Sequence, residues 1–258
     1  MKISILGSGS GGNSIYIEDR HTKFLIDAGF SCKKIEERLG RLGKSLVDVD
    51  ALLITHEHGD HILGAGIISR KYNIPIYITP ESFKAGEKKL GKIDNENLKF
   101  IDGKFQINDN ILINPFDVMH DAVRTVGYRV ENIEGKILAV STDIGYVNNI
   151  VKENFKDVDL MVIESNYDYN MLMNCSYPWD LKARVKSRNG HLSNNDAAKF
   201  IKEIYSDKLK KVYLAHISKD SNNPDIVKNT IDQELKESKI NINYELANQD
   251  MATDIFEL

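Results

Sequence analysis

Short apolar runs recur along the chain, and polar turns separate them. Runs of this length that are rich in β-branched residues predict strands. The predicted strands are Lys2–Leu6, Ser14–Glu18, Lys23–Asp27, Ala51–Ile54, Ile76–Thr79, Ile111–Val118, Thr125–Val130, Ile137–Ser141, Leu160–Glu164 and Lys211–Ala215. Only short turns separate the first three strands, which favours antiparallel meanders at the start of the chain.

Other stretches repeat their apolar residues at the spacing of an α-helix. They predict helices over Lys33–Leu42, Ile62–Tyr72, Glu81–Leu90, Asn195–Tyr205 and Pro224–Ser238. Several of these helices lie between strands, so we expect packed sheets that are flanked by helices. The chain has no internal repeat, low-complexity tract or linker, and we expect residues 1–258 to form one domain.

Composition is that of an ordinary globular protein, with 41% hydrophobic and 28% charged residues. A formal net charge of −4 gives no global attraction for nucleic acid, so any polyanion must be held by local cations or metals. Cys32 and Cys175 fit neither a zinc-knuckle spacing nor a disulfide framework, which favours a reducing cytosol. With neither a signal-peptide core nor a bilayer-spanning run, we predict a cytoplasmic protein without a membrane partner. The sequence does not indicate an oligomeric state.

The segment from Thr55 to His61 is the strongest chemical signal in the chain. It reads Thr-His-Glu-His-Gly-Asp-His and directly follows the apolar stretch 51–54. Alternate side chains of an extended segment share a side, so His56 and His58 can bind one ion while Glu57 faces away. Imidazole and carboxylate ligands suit zinc, manganese or iron(II). A chance cluster of ionisable groups beside a buried strand would lack the partners that such groups need.

Three more potential ligands lie where predicted strands end. His120, Asp143 and His216 each follow an apolar run. For a single histidine, a hydrogen-bonded structural role is about as common as ligation. Together with the 55–61 cluster, these positions favour ligation.

At these residues the chain resembles the metallo-β-lactamase-fold hydrolases, whose HxHxDH signature matches His56, His58, Asp60 and His61. The resemblance covers almost the whole chain and implies an α+β fold, a four-layered αββα sandwich. It also implies a role for each position of the site. His56, His58 and His120 would hold one ion, Asp60, His61 and His216 would hold the other, Asp143 would bridge them, and Asp27 would orient the cluster loop from behind.

The resemblance implies two divalent ions, Zn²⁺ or Mn²⁺, with Fe²⁺ also compatible with these ligands. Two such ions about 3.5–4 Å apart activate a shared hydroxide and stabilise oxyanion charge, so the reaction would be hydrolysis. Asp60 would also act in catalysis by accepting a proton from the attacking water.

A second signal concerns the substrate. In the run 190–197, Ser193 is an expected helix N-cap, and Asp196 three residues later completes a capping-box pattern. The N–H groups there can hold a phosphate, with Ser193 as a contact. His191 beside them can protonate a leaving alkoxide or bind a phosphate oxygen, although an incidental histidine on a capped surface helix is the plain alternative. The tRNA 3′-processing nucleases carry a similar His-x-Ser/Thr helix start.

More of the chain resembles a narrower branch, the YycJ-like proteins. The matching segments are 7–13, 120–122, 127–128, 142–145, 164–166, 177–178, 190–194 and 216–218. This resemblance implies a DNase, a 5′-to-3′ exonuclease on single-stranded DNA ends with a place in DNA repair. Tyr167 stands where the family pattern has a histidine, and we assign it no ligand role. The large inserted cap of the β-CASP nucleases is missing.

Further substrate contacts are predicted outside the ligand set. Lys182, Arg184, Lys186 and Arg188 would form i,i+4 pairs on a helix, with Arg184 and Arg188 as contacts to the DNA backbone, although such runs are more often solvated faces. Trp179 can stack on bases or anchor its helix to the core. The N-terminal glycine loop can approach a phosphate closely, with Asn13 as a contact.

Two other functions remain open from the sequence. A thioesterase or lactonase can use the same dimetal centre, since one fold hosts many chemistries. It would need a closed apolar pocket, whereas a nuclease needs an open groove with cationic walls. A catalytically silent metal-binding or DNA-binding module is the other alternative, and the complete ligand set argues against it.

Overall fold

The computed structural model describes residues 1–258 and contains two seven-stranded sheets. In chain order, the strands are β1 (Lys2–Gly7), β2 (Ser14–Asp19), β3 (Thr22–Ile26), β4 (Ala51–Leu53), β5 (Ile76–Ile78), β6 (Leu98–Phe100), β7 (Phe105–Ile107), β8 (Ile111–Val118), β9 (Thr125–Asn132), β10 (Ile137–Ser141), β11 (Leu160–Glu164), β12 (Lys211–Ala215), β13 (Asn243–Leu246) and β14 (Phe256–Glu257). The first sheet has the order β14-β1-β2-β3-β4-β5-β6, and the second has the order β13-β12-β11-β10-β9-β8-β7.

Nine α-helices accompany the sheets. They are α1 (Cys32–Arg41), α2 (Gly59–Ile62), α3 (Ala65–Tyr72), α4 (Pro80–Leu90), α5 (Asn149–Phe155), α6 (Tyr169–Asn174), α7 (Trp179–Val185), α8 (Asn194–Ile204) and α9 (Pro224–Glu237). None of them combines the length and the apolar character that crossing a membrane requires.

The alternation of side chains along the strands builds four layers. In β4, Leu53 lies in the core between the two sheets, whereas Leu52 packs outward among residues of α1, α3 and α4. In β11, Val162 lies in the same central core, and Ile163 packs outward with residues of α5, α8 and α9. The layers therefore run helix, sheet, sheet, helix, which confirms the predicted α+β αββα sandwich.

Parallel pairing brings the chemical residues to one edge of the sandwich. Strands β3, β4 and β5 are parallel neighbours in the first sheet, and β10, β11 and β12 are parallel neighbours in the second. Parallel strands end at the same edge, and ligands in such sheets bind beyond the carboxyl ends of the strands. The polar residues that follow β3, β4, β10 and β12 therefore converge.

Helices α5, α6 and α7 are not among the predicted ranges, and two further kinds of sequence expectation differ from the structure. The helix predicted over Ile62–Tyr72 is divided into α2 and α3, because the Gly64 N–H donates to the Ala28 carbonyl outside the helix. Four short strands escaped the prediction, namely β6, β7, β13 and β14. Each lies at or next to an edge of its sheet and is two to four residues long, too short to display a period.

The approach of Gly29 to the cluster loop supports a stability prediction. A Cβ atom on Gly29 would lie 1.7 Å from the Asp60 carbonyl oxygen, whereas a Cβ on Gly40 in α1 would have no atom within 4 Å. We expect Gly29→Ala to lower the free energy of unfolding by about 3 kcal/mol through overpacking. Gly40→Ala, the matched control on an exposed helix face, should raise it by about 0.5–1 kcal/mol. Urea unfolding measures both, and equal stability of the Gly29 variant and the parent would contradict the close approach.

Candidate metal centre

The cluster loop leaves β4 at Leu53 and turns into α2 at Gly59. His56 and His61 are completely buried, whereas His58 is half-buried and its backbone is extended at the N-cap of α2. The imidazoles of His56 and His58 lie together, as the alternation of side chains predicts. Their ring centroids lie 4.6 Å apart.

Most of the ring Nδ1 atoms are held from outside the cluster, which leaves Nε2 directed inward. A metal-ligating histidine usually has its other ring nitrogen bonded in this way, because the bond sets the tautomer and the ring orientation. The bonds join His56 to Thr55 Oγ1 at 3.0 Å, His61 to Asp27 Oδ2 at 2.7 Å, His120 to the Gly190 carbonyl at 3.0 Å and His216 to Glu164 Oε1 at 2.7 Å.

The inward atoms of the predicted ligands lie close together. His56, His58 and His120 offer ligand atoms that lie within 4.8 Å of one another. On the other side, Asp60 Oδ2 lies 3.6 Å from His61 Nε2 and 3.8 Å from His216 Nε2. The structure thus brings the six side chains together, and their division into two ligand sets stays a prediction that these distances support.

Asp143 lies between the two groups. Its Oδ2 atom is 2.9 Å from His61 Nε2, and its Oδ1 atom is 3.6 Å from His120 Nε2 and 3.2 Å from His216 Nδ1. A carboxylate in this position can offer one oxygen to each of two ions. Its role as a bridging ligand stays a prediction that the distances support.

An orphaned polar atom shows that a divalent ion suits the cluster. His56 Nε2 is buried without a hydrogen-bond partner, and Asp143 Oδ2 has His61 Nε2, at 2.9 Å, beside it. Buried polar atoms are almost always paired, so the unpaired His56 Nε2 fits a ligand of positive charge. The donor set contains only imidazole and carboxylate, which suits Zn²⁺, Mn²⁺ and Fe²⁺ alike.

The electrostatics of the cluster favour positive charge in the same place. Burial alone would lower the pKa of His61, but the Asp143 and Asp27 carboxylates outweigh burial and raise it well above its usual value. Burial likewise acts to raise the pKa of Asp143, but His216 and His61 hold it well below its usual value. The central carboxylate therefore stays ionised and attracts cations.

Asp27 holds the cluster loop in the way that the sequence predicts. Its Oδ1 atom accepts from the Thr55 N–H at 2.8 Å, and its Oδ2 atom accepts from the Thr55 hydroxyl at 2.9 Å as well as from His61. Asp27 and His216 both have left-handed backbone angles, with φ of 62° and 52°. Such angles are rare outside glycine and collect at functional sites.

Asn13 takes a different place from the predicted substrate contact. It is 2% exposed, and its Oδ1 atom accepts from the Ser8 hydroxyl and the Gly9 N–H. Its Nδ2 atom lies 3.4 Å from Asp60 Oδ2 and 3.1 Å from His61 Nε2. The hydrogen-bonding atoms of this amide are used within the loop, so Asn13 positions Asp60 and does not face the substrate.

Glu164 is the main residue without a predicted role. It ends β11, is completely buried, and its Oε1 atom accepts from Nδ1 of His191 at 2.8 Å and of His216 at 2.7 Å. Its Oε2 atom accepts from the N–H groups of Ile144 and Leu192. A signal was present, because an acid at the end of an otherwise apolar strand needs partners at that edge.

His191 lies beside the ligand groups with its ring open to the surface. Its side chain is 19% exposed, and its ring centroid lies 5.2 Å from that of His120 and 5.1 Å from that of His216. Burial acts to lower the pKa of His191, but the Glu164 carboxylate outweighs burial and raises it above its usual value. Ser193 caps α8 as predicted, since its hydroxyl accepts from the Asp196 N–H at 3.1 Å. A contact between Ser193 and substrate stays a prediction.

The basic segment (residues 182–188) differs from its predicted form. Helix α7 ends at Val185, so the expected i,i+4 pairs with Lys186 and Arg188 on one helix face are wrong. Lys182 is turned inward and donates to the Met173 carbonyl, and Arg184 pairs with Asp121. Asp121, another residue without a predicted role, lies 3.3 Å from His120 Nε2. Arg184 therefore stands at the edge of the metal centre.

Glu164 supports a prediction about ligand orientation. Replacing it by glutamine keeps the size but removes the charge and one of the acceptors that two histidines share. We expect Glu164→Gln to lower metal affinity or turnover by about 10- to 100-fold, the usual effect of groups behind a ligand set. Asp159→Asn is the matched control, because Asp159 is also buried and flanks the opposite end of β11. The Asp159→Asn variant should be less stable than the parent but should not show a comparable loss of turnover per folded molecule. A fully active Glu164→Gln variant would contradict the positioning role.

Comparison with known proteins agrees with this geometry. Residues 22–217 match the model of the beta-lactamase superfamily domain. The chain therefore belongs to the beta-lactamase superfamily of metallohydrolase folds.

Within that superfamily, the chain belongs to the YycJ-like branch. It is 38% identical over 256 residues to exodeoxyribonuclease WalJ of Streptococcus pneumoniae, with 98% of this chain and 95% of the relative covered. It is 38% identical over 242 residues to exodeoxyribonuclease YycJ of Bacillus anthracis, with 92% and 90% covered. Among solved structures, Zn²⁺-bound PqqB of Methylobacterium extorquens matches with a TM-score of 0.71 and 18% identity, covering 98% of this chain and all of that one, which supports the fold.

Proposed function

We propose that this protein is a metal-dependent exodeoxyribonuclease that degrades single-stranded DNA from its 5′ end. The observation that carries the proposal is the Glu164–His191 pair beside a cluster of histidine and aspartate side chains that could hold metal ions. Hydrolysis of a carboxylic ester or lactone needs no further histidine there, whereas a phosphodiester has a basic alkoxide leaving group that benefits from a proton donor. The names of the relatives WalJ and YycJ specify DNA as the substrate and exonuclease as the activity.

Each residue of the centre has a part in this reaction. His56, His58, His120, Asp60, His61, His216 and Asp143 would hold two divalent ions, Zn²⁺, Mn²⁺ or Fe²⁺. Bound ions of this kind lower the pKa of water and offset oxyanion charge. Asp60, whose side chain is 24% exposed, accepts a proton from the attacking water while the water oxygen bonds to phosphorus. His191 gives its proton to the 3′ oxygen as the bond between that oxygen and phosphorus breaks. Arg184 and Arg188 bind neighbouring phosphates.

The same proposal includes the organisation of the chain and its cellular place. Residues 1–258 form one domain, because the C-terminal strand β14 pairs with β1 and the central core draws on both sheets. Cys32 and Cys175 are free thiols, which suits a cytosolic protein of DNA repair.

Product analysis tests the proposal against the hydrolase alternative. The protein, loaded with Mn²⁺ or with Zn²⁺, is incubated with a single strand labelled at its 5′ end, and separately with thioesters and lactones. We expect release of labelled mononucleotide from the earliest times and no comparable turnover of the small molecules. Turnover of thioesters or lactones without nucleotide release would favour a small-molecule hydrolase, and release of internal fragments first would contradict the exonuclease mode.

A further inference from the structure

Three aromatic side chains next to the basic segment are exposed to solvent. Trp179 is 63% exposed, Tyr169 is 51% exposed and Tyr146 is 42% exposed. Aromatic rings carry a large apolar surface and are mostly buried in cores or interfaces, so three exposed rings in one region indicate a ligand for them. Trp179 is the first residue of α7 and does not pack into a hydrophobic core. Its ring therefore does not anchor the helix to the core.

Basic side chains lie over all three rings. Lys186 Nζ is 5.2 Å from the ring centroid of Trp179 and 6.0 Å from that of Tyr169. The Arg188 guanidinium is 4.1 Å from the ring centroid of Tyr146. Arg184 nearby pairs with Asp121, whereas Lys186 and Arg188 form no ion pair in the structure. Their charges are therefore available to an anion in a protein whose net charge is −4.

Tyr146 and Arg188 connect the basic segment to the metal centre. Tyr146 bridges to Met119, the neighbour of the ligand His120, and the Gly145 N–H donates to the Met119 carbonyl at 2.8 Å. A Cβ atom on Gly145 would lie 2.4 Å from the Arg188 carbonyl oxygen, so the two segments pack directly against each other. Arg188 precedes His191 by three residues. The surface formed by Trp179, Tyr169, Tyr146, Lys186 and Arg188, here termed the aromatic shelf, thus leads to the reacting atoms.

We propose that the aromatic shelf binds unpaired nucleobases by stacking, while Lys186 and Arg188 hold the phosphates between them. This inference rests on the proposed function and names how the same site selects its substrate. Base stacking on aromatic side chains tolerates any sequence, and it requires bases that are not already paired and stacked in a duplex. The combination of exposed rings and unpaired cations is that of single-strand binding surfaces. The shelf therefore selects single strands next to the metal centre.

The fluorescence of Trp179 reports directly on stacking, because it is the sole tryptophan of the chain. The probe is a phosphorothioate oligothymidylate of about eight nucleotides, within the usual site size of single-strand binders. The comparison is an abasic phosphorothioate strand of equal length, which carries the same charge without bases. Titration of the metal-loaded protein should give saturable quenching with oligothymidylate and little with the abasic strand. Equal quenching by both strands, or none with either, would overturn the shelf.

Kinetic constants of variants give a second readout. Trp179→Ala should raise KM for a single strand about tenfold, a much larger change than in kcat, and Trp179→Phe should restore most of the loss. Ile133→Ala is the matched control, because Ile133 is a 59% exposed apolar side chain beyond β9 and outside the shelf. Ile133→Ala should leave KM unchanged. If Trp179→Ala also left KM unchanged, the proposal would be overturned.

Failure of the shelf and failure of the proposed function are distinguishable. Cleavage of DNA without base-dependent quenching would refute the shelf and leave the nuclease intact. Base-dependent quenching by a protein that cleaves no DNA would refute the nuclease and support the shelf as a binding surface for single strands.

Discussion

Replacing Asp143 by alanine is expected to remove at least one of two metal ions and nearly all activity. Asp143 lies between both histidine groups and is the only acid close to His61, His120 and His216 together. Its loss also leaves several buried imidazoles facing one another, which weakens any residual binding of cations. Metal content should fall from about two ions per chain to at most about one. Turnover should fall by more than about 10³-fold, since even groups behind a ligand set are worth about 10- to 100-fold.

Elemental analysis after reconstitution and dialysis measures the first effect, and nucleotide release measures the second. Asp102→Ala is the matched control, because Asp102 is an exposed acid outside the cluster. It should bind metal and cleave DNA like the parent. An Asp143→Ala protein that retains both ions would show that the carboxylate does not bridge them.

The second large effect is expected at His191. If His191 protonates the leaving alkoxide, His191→Ala should lower turnover on DNA by roughly 10²–10⁴-fold, the usual worth of a general acid, while metal content stays intact. A nitrophenyl phosphodiester needs little protonation of its leaving group and should lose much less rate. Comparison of the two substrates therefore separates acid catalysis from phosphate binding, which would slow both equally.

His21→Ala provides the control for this experiment. His21 is an exposed histidine in the turn between β2 and β3, outside the metal centre. It should leave both rates unchanged. If His191→Ala cleaved DNA at the parental rate, the N-terminus of α8 would have only a structural role. A small-molecule hydrolase would then explain the centre better.

The strands with long apolar runs were predictable from sequence with little error. Strands β10, β11 and β12 have the predicted bounds, because side chains buried on both faces leave a mostly apolar signal. Strand β8 also has the predicted bounds, although its burial is only partial. The short strands β6, β13 and β14 lie at sheet edges and have exposed or half-buried residues, so they carry no comparable signal. Their pairing depends on the neighbouring strand rather than on local composition.

The candidate ligands are predictable from sequence because a metal requires particular residue types, which here follow predicted strands. The residues around them were harder to predict. The role of Glu164 depends on His191 and His216, which are 27 and 52 residues away, and only the fold brings them together. The glycine-rich loop predicts a substrate contact at Asn13, but tertiary hydrogen bonds bury its amide beside Asp60. The i,i+4 pairs expected in the basic segment do not form on one helix because α7 ends at Val185.

The central claim is that a dimetal centre in this protein hydrolyses DNA phosphodiesters. Its most direct test is titration of the metal-stripped protein with Mn²⁺ or Zn²⁺ while mononucleotide release from a labelled single strand is followed. Release should be absent without metal and should rise until about two ions are bound per chain, where it should reach a plateau. Full cleavage by the metal-free protein, or no cleavage at any metal occupancy, would contradict the account.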